Sequence, residues 1–303
     1  MKRLPILIVS VGLLAACGTG GAGKLGPVPT GSASVASPTA PADTTQPAGG
    51  GQSPAPVPTA TTPQGATGQV SLQAWFTREG KLFGTQRGVP GTASVGRAAL
   101  DQLLAGPSSA ESAAGLRSLI PAGTRLLGLA ISSGTATVDL SSSFTSAASP
   151  STMPLRIAQV VYTLAQFPAV TSVRFHINGH AVTTIGGVPA RGPQTPAMYG
   201  GYLPAITVQN PAIGEQVTSP VTISGSADVF EATVSVRILD SAGHEIARTF
   251  TTATCGTGCR GDYSVPVRYA VPREEPGTIE VFETSMENGQ PLHLQLIPVT
   301  LTP

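Results

Sequence analysis

Between residues 69 and 187 the apolar residues recur with two different periods, which predict a mixture of strands and helices. Alternation at every second residue predicts strands at 70–76, 82–89, 126–132, 136–140 and 173–177, with a return strand through Val182 and Ile185. Helical spacing of apolar residues predicts one helix from an N-cap at Ser94 to the stop at Gly106-Pro107, and another over 154–167. Two helices packed on one antiparallel or mixed sheet make an α+β domain, which we predict for 69–187.

Two neighbouring strands of this domain each carry three alternating apolar side chains. They are Leu127, Leu129 and Ile131 in the first strand, and Ala136, Val138 and Leu140 in the second. Side chains at every second residue of paired strands share one face of the sheet. We therefore expect all six side chains to lie on the same apolar face.

From residue 203 to residue 303 the pattern changes to short β-rich runs separated by turn residues. Seven strands are predicted, at 206–209, 221–224, 233–239, 245–252, 263–269, 277–284 and 294–300. Short strands in this number, with regular turns between them, are typical of an all-β sandwich. The Gly- and Pro-rich segment 188–202 is predicted to connect the two domains.

The N-terminus has the pattern of a secretory signal. Lys2 and Arg3 precede an apolar run over 4–14, and small residues follow it at Ala15 and Ala16. The run is shorter than the roughly 20 residues that span a bilayer. The sequence Leu-Ala-Ala-Cys at 14–17 resembles the bacterial lipobox, which implies that residues 1–16 are a signal peptide and that Cys17 carries a lipid. The alternative is a buried N-terminal helix with an incidental cysteine.

The segment 17–68 that follows is built almost entirely from Gly, Ala, Ser, Thr, Pro, Gln and Val. Lys24 and Asp43 are its only charged residues, and it has no aromatic residue. Such a composition buries too little apolar surface to fold, so we predict a disordered tether. A chain of this length spans roughly 40 Å as a coil and about 160 Å as polyproline II. A lipid at Cys17 would then hold the two domains at the extracytoplasmic face of the cell membrane.

Charge and composition remove several classes of function. The net charge is +1 and only 11% of residues are charged, so no basic surface for nucleic acid is expected. The folded region contains no Gly-rich phosphate loop, no paired catalytic carboxylates and no Gly-x-Ser-x-Gly elbow. We therefore predict no enzyme activity, no cofactor and no metal.

Cys255 and Cys259 enclose Gly-Thr-Gly in a predicted loop between strands. An exported protein favours a disulfide between them. Two alternatives are free thiols and half of a zinc site, although no second pair of ligands lies at the required spacing.

Three other groups of residues have a functional and a structural interpretation. His176 and His180 flank the Asn-Gly turn and could approach each other as metal ligands, but two solvent-facing strand residues are favoured. Asp139 precedes three serines, and is favoured as a turn or capping residue over a catalytic one. The tripeptide 260–262, Arg-Gly-Asp, occurs in cell-adhesion ligands, but matches of this length arise often by chance.

Four stretches of the first domain carry a family resemblance. Residues 98–107, 120–124, 136–141 and 159–164 read AALDQLLAGP, IPAGT, ATVDLS and QVVYTL. In this order they resemble the GerMN domain of sporulation and germination lipoproteins, over about 70–187. The resemblance implies a non-enzymatic domain that takes part in protein–protein assembly.

The second domain resembles the immunoglobulin-like domain that often follows GerMN in these lipoproteins. The matching residues are Asn210-Pro211, Ser219-Pro220-Val221, Gly225-Ser226-Ala227, Phe230-Glu231 and the run over 281–285. We therefore expect a lipid-anchored envelope protein whose two domains bind unidentified envelope proteins, in sporulation or germination or as an accessory to envelope signalling. The alternative is a module that binds cell-wall polymer, with peptidoglycan as the partner.

Overall fold

The first described element is a long hairpin of two strands, β1 (Gln69–Arg78) and β2 (Lys81–Pro90). They pair over their full length, and Glu79 and Gly80 form the turn with φ angles of 52° and 74°. Positive φ at both turn residues is the type I′ geometry that matches the twist of a hairpin. The computed structural model describes residues 68–147 and 149–303. The predicted signal peptide, the lipid site Cys17 and the tether before residue 68 lie outside the described residues.

The rest of the first domain is two longer helices and a mixed four-stranded sheet. Its elements are α1 (Val95–Ala105), α2 (Ser109–Ala113), β3 (Leu126–Ser132), β4 (Thr135–Leu140), α3 (Met153–Ala165), β5 (Ser172–Ile177) and β6 (His180–Ala181). The sheet order is β3-β4-β5-β6, and β4 and β5 are parallel because α3 crosses between them. The predicted α+β class is confirmed. The hairpin β1–β2 is a separate sheet that packs against α1 and α3.

The short helix α2 was not predicted, although the sequence contains its start signal. The side chain of Ser108 accepts a hydrogen bond from the backbone N–H of Glu111, and the Glu111 carboxylate accepts one from the N–H of Ser108. This reciprocal arrangement is a capping box, recognisable as Ser-x-x-Glu.

The apolar face predicted for β3 and β4 is right for β4 and only partly right for β3. Ala136, Val138 and Leu140 are fully buried, and Leu129 lies opposite Val138. Leu127 is 45% exposed, because a bulge between Leu126 and Gly128 takes it out of the alternating register. Ile131 keeps its register but is 44% exposed on a strand that has a neighbour on one side only.

The connector and the second domain are rich in short strands. Between β6 and the sandwich lie two short strands and a 3-10 helix: β7 (Thr184–Ile185), β8 (Val188–Pro189) and the 3-10 helix Pro196–Tyr202. The second domain then contains eight strands: β9 (Ile206–Asn210), β10 (Gln216–Val217), β11 (Val221–Ala227), β12 (Thr233–Leu239), β13 (Glu245–Thr252), β14 (Gly261–Val267), β15 (Glu275–Thr284) and β16 (Pro291–Leu301). Two sheets, ordered β10-β16-β15-β12-β13 and β14-β11-β9, form the predicted sandwich. All seven predicted strands are present, and β10 is an additional short strand.

The cores of the two domains are continuous across their junction. Leu82 and Phe83 of β2, and Ile206 and Val208 of β9, belong to the same cluster of buried apolar side chains. Strand β2 packs against β9 at this junction. Because the apolar contact continues from one domain into the next, the two domains are held in one arrangement and the surface between them has a defined shape.

Candidate functional site

A cleft of about 870 Å³ lies where the turn of the β1–β2 hairpin meets the beginning of β16. The first domain contributes 78–79, 81–83 and 113–115, and the second contributes 203–205, 293–296 and Pro298. Its volume is within the range of roughly 300–1,000 Å³ that is usual for ligand-binding clefts. Its walls come from segments far apart in the sequence, so no local motif could have identified it.

Backbone geometry on each side produces this cleft. The type I′ turn at Glu79-Gly80 lets β1 and β2 run straight to the domain junction without splaying apart. On the opposite wall, a register shift between Val281 and Glu283 displaces the beginning of β16, and His293 has a φ of 54°. A bulge of this kind bends a strand and redirects its side chains.

Arg78 connects the two walls of the cleft. Its guanidinium donates to the backbone oxygen of Leu296 at 3.1 Å and to the side-chain oxygen of Gln295 at 2.6 Å. The same group lies 4.3 Å from the centre of the Phe83 ring, within the distance of a cation–π contact. Burial lowers the pKa of Arg78, and the nearby carboxylate of Glu79 opposes this effect. Arg78 therefore fixes the hairpin turn against β16.

A second cation, Lys81, lies on the rim of the cleft. Its ammonium group donates to the backbone oxygen of Gly201 at 2.9 Å. Within 68–147 and 149–303, no carboxylate forms an ion pair with Arg78 or Lys81. The cleft therefore carries two positive charges whose hydrogen bonds all go to neutral oxygens.

The beginning of β16 is a free sheet edge that faces the cleft. Strand β10 covers this edge only beside Thr300 and Leu301. The backbone oxygens of Leu296 and Pro298 point to this side, since they accept from Arg78 and from the N–H of Gly214. Main-chain groups alternate sides along a strand, so the C=O of Leu294 and the N–H of Leu296, on either side of the Gln295–Val281 pair, also point to the edge. Among the described residues, no strand pairs with β16 on this side beside Leu294 and Leu296.

A seam of aromatic residues supports the other side of the junction. The rings of Trp75 and Tyr162 lie 5.0 Å apart, and the Tyr162 hydroxyl donates to the oxygen of Pro196 at 3.1 Å. Tyr199 donates to the side-chain oxygen of Gln194 at 2.7 Å, and burial raises its pKa to about 12. This packing attaches the predicted connector to α3 of the first domain.

The Arg-Gly-Asp tripeptide has a structural role, and the adhesion hypothesis is not supported. Arg260 donates to the backbone oxygens of Pro204 at 2.6 Å and Ser226 at 3.2 Å, and burial lowers its pKa. Gly261 and Asp262 belong to β14, paired with β11. The tripeptide is therefore part of the sandwich and not a displayed loop.

Cys255 and Cys259 lie in the loop between β13 and β14, with their sulfur atoms within bonding distance of each other. Their Cα atoms are 5.7 Å apart, within the usual range for a disulfide. The Sγ of Cys259 is also 3.2 Å from the backbone oxygen of Gly256. The disulfide itself remains a prediction.

The two histidines beside the Asn-Gly turn do not come together. His180 pairs with Ile177, whereas His176 pairs with Ala181. Adjacent pairs of a hairpin project to opposite faces, so the two imidazoles lie on different sides of the sheet. Asp139 accepts a hydrogen bond from the N–H of Gly179 at 2.9 Å, which is the turn role favoured from the sequence.

Metal-binding clusters and membrane-spanning helices are both absent from the part of the chain that the structure describes. Over 68–147 and 149–303, no group of three His, Cys, Asp or Glu residues is placed to hold a metal ion. In the same residues, no helix has both the length and the apolar character needed to cross a membrane.

Comparisons with known families give a match for each domain. Residues 65–183 match the family described as sporulation and spore germination, Germane, and residues 205–290 match the immunoglobulin-like domain of bacterial spore germination, Gmad2. No match was found among curated proteins.

Two solved structures from Bacillus subtilis are similar to parts of the chain. The first GerMN domain of the sporulation protein GerM is 26% identical, with a TM-score of 0.37, over 42% of this chain and 97% of that one. The tandem GerMN domains of the same protein are 16% identical, with a TM-score of 0.38, over 78% of this chain and 61% of that one.

The fold and the two family matches together define a two-domain protein, an α+β domain followed by an immunoglobulin-like sandwich. The first is a GerMN domain and the second is the immunoglobulin-like domain of bacterial spore germination, as the sequence resemblance implied.

Proposed function

We propose that this is a non-enzymatic, lipid-anchored protein of the cell envelope that binds other envelope proteins through its two-domain head, residues 69–303. The observation that carries the proposal is the cleft at the domain junction, which combines apolar walls with exposed main-chain groups of β16. The family descriptions, sporulation and spore germination, support a role of this assembly in those processes. An accessory role in envelope signalling is the second setting that we propose for the same binding function.

The lipid anchor is proposed from the lipobox at 14–17 and is tested by Cys17→Ala. We expect the variant to be exported, to leave the membrane fraction and to lose incorporation of labelled fatty acid. A matched control is Ser10→Ala, which changes the apolar segment but leaves the lipobox intact. A Cys17→Ala chain that stays in the membrane after its signal peptide has been removed would contradict the anchor.

The binding function is tested by crosslinking in membranes, followed by purification of the full-length protein and identification of captured proteins. A chain that ends at residue 68 is the control, because it keeps the signal, the lipid site and the tether but has no head. We expect specific partners only for the full chain. Equal capture by both chains would refute binding by the head.

Binding to wall polymer is the alternative function that the sequence suggests, and a separate experiment tests it. The full chain is sedimented with purified peptidoglycan that has been freed of protein. Retention by this material, together with no captured protein, would favour the wall-binding alternative.

A further inference from the structure

The open part of the β16 edge is confined to a short window inside the cleft. At its C-terminal side the edge is covered by three contacts. Arg78 donates to the backbone oxygen of Leu296, the N–H of Gly214 donates to the oxygen of Pro298, and β10 pairs with the end of β16. At its N-terminal side the window ends at His293, where the positive φ and the register shift break the regular alternation of β16. Proteins normally protect exposed strand edges with charges, prolines, bulges or covering segments. Here such devices flank Leu294–Leu296 and leave that stretch accessible.

The walls beside this window are apolar. Leu294 and Leu296 are 39% and 43% exposed, and Leu82, Phe83 and Leu203 also line the cleft. A strand added to a sheet lies about 4.8 Å from its neighbour and exchanges main-chain hydrogen bonds with it. An extended segment in the cleft would therefore satisfy the C=O of Leu294 and the N–H of Leu296, and would cover both leucine side chains.

The charges of the cleft favour an acidic occupant. Within the described part of the chain, Arg78 and Lys81 hydrogen-bond to neutral oxygens only, and Glu79 at the exposed turn is the one carboxylate that lines the cleft. His293 at the far end contacts Glu283 at 3.6 Å. A carboxylate on the incoming segment would meet two cations, which steers association and fixes the orientation of the segment.

We propose that the cleft binds an extended, acidic segment of a partner protein, which adds as a strand to the edge of β16 at Leu294–Leu296. This inference rests on the proposed function and names the chemistry of the partner. The main chain of the segment supplies the hydrogen bonds, its alternate apolar side chains contact the leucines, and its carboxylate lies beside Arg78 and Lys81.

The experiment begins with the full chain carrying a photo-crosslinking residue at position 294 and, as a control, at the exposed position 174 of β5. After crosslinking in membranes, the attached peptide is sequenced. We expect position 294, and not position 174, to capture a segment with acidic residues and no proline within its central strand.

A synthetic copy of the captured segment is then titrated against the purified full chain. Replacing Leu296 by Pro removes the N–H that faces the edge, and Pro298 shows that β16 accepts proline at such a position. We expect Leu296→Pro to weaken binding about tenfold, as for one lost hydrogen bond, and Leu296→Ala to weaken it less. Methylating those backbone nitrogens of the synthetic segment that face β16 should weaken binding by a similar factor. Methylating the alternate nitrogens, which face away from β16, should change binding little.

The charge part of the proposal is tested with Lys81→Gln, which we expect to weaken binding by several fold and to reduce its dependence on salt. The matched control, Arg125→Gln, makes the same change of charge at an exposed residue outside the cleft.

The outcomes separate this inference from the proposed function. Partners captured at position 174 and not at 294, or equal binding by methylated peptides of both patterns, would overturn strand addition and leave protein binding intact. A crosslink from position 294 to residues 18–67 of this chain, to a second copy or to wall polymer would overturn a partner segment as the occupant. No captured protein at any position would overturn both proposals.

Discussion

Replacing Arg78 by alanine is the sharpest test of how the two domains are held around the cleft. The guanidinium makes two hydrogen bonds to β16 across the junction and lies over the ring of Phe83. The substitution removes all three contacts and leaves the strand pairing of β1 with β2 intact. We therefore expect a loss of coupling between the domains without loss of either fold.

The expected loss in the free energy of unfolding can be estimated from these three contacts. A hydrogen bond to a charged group contributes about 1.5–3 kcal/mol when buried and less when exposed, and a cation–π contact about 0.5–1 kcal/mol at an accessible site. Because the cleft admits water on one side, we expect Arg78→Ala to lower the free energy of unfolding by about 2–4 kcal/mol. The bond to Gln295 should account for about 1.5 kcal/mol of this, measured as the coupling in a double-mutant cycle with Gln295→Ala.

Urea unfolding of the purified chain followed by two signals provides the assay. Trp75 is the only tryptophan, so its fluorescence reports on the first domain, whereas far-ultraviolet circular dichroism includes the whole sandwich. In the unaltered protein we expect the two transitions to coincide, and in Arg78→Ala we expect them to separate. Arg125→Ala is the matched control and should change stability by less than about 0.5 kcal/mol. Coincident transitions in Arg78→Ala, or a cycle additive within about 0.3 kcal/mol, would refute this reasoning.

Three further predictions concern single features of the fold. Glu111→Ala should lower the free energy of unfolding by about 3–5 kcal/mol, because it leaves the largely buried Arg87 without its carboxylate partner. A loss below about 1 kcal/mol, measured by urea titration, would contradict this prediction. Cys255 and Cys259 should react with a thiol reagent only after reduction, and labelling found by peptide mapping at these two residues in the unreduced, unfolded protein would show that no disulfide joins them. Burial raises the pKa of Tyr199 to about 12, so the neutral phenol stabilises the fold below the ordinary tyrosine pKa near 10, and this stability is lost as the pH rises toward 12. Burial also raises the pKa of Tyr162 and of Tyr263, so ultraviolet titration of tyrosinate should show late ionisation in both proteins, with one late-ionising phenol fewer in Tyr199→Phe.

The strands and the two longer helices could be predicted because their residues carry a local signal. Ile157, Val160, Val161 and Leu164 recur at helical spacing, and all four are fully buried in α3. The same reasoning failed at Leu127, since a bulge is a property of the pairing of two strands and leaves no period in either one.

The interpretation of candidate residues depended on which contacts they make in space. Periodicity placed His176 and His180 four residues apart across a turn, but only the register of the hairpin shows that they point to opposite faces. Arg260 belongs to an Arg-Gly-Asp tripeptide, which also occurs in cell-adhesion ligands. Its hydrogen bonds to the backbone oxygens of Pro204 and Ser226 show that its role here is structural.

By itself, the sequence determined the order of the domains, their classes and nearly all of their regular elements, because hydrophobic period and turn residues act over a few positions of the chain. Only the tertiary structure decided that a cleft forms between the domains, where we propose that a partner binds. Arg78 and Gln295 are separated by 217 positions, and the cleft exists because the continuous core holds their strands side by side. No local pattern contains that contact, since it arises from the packing of one domain on the other.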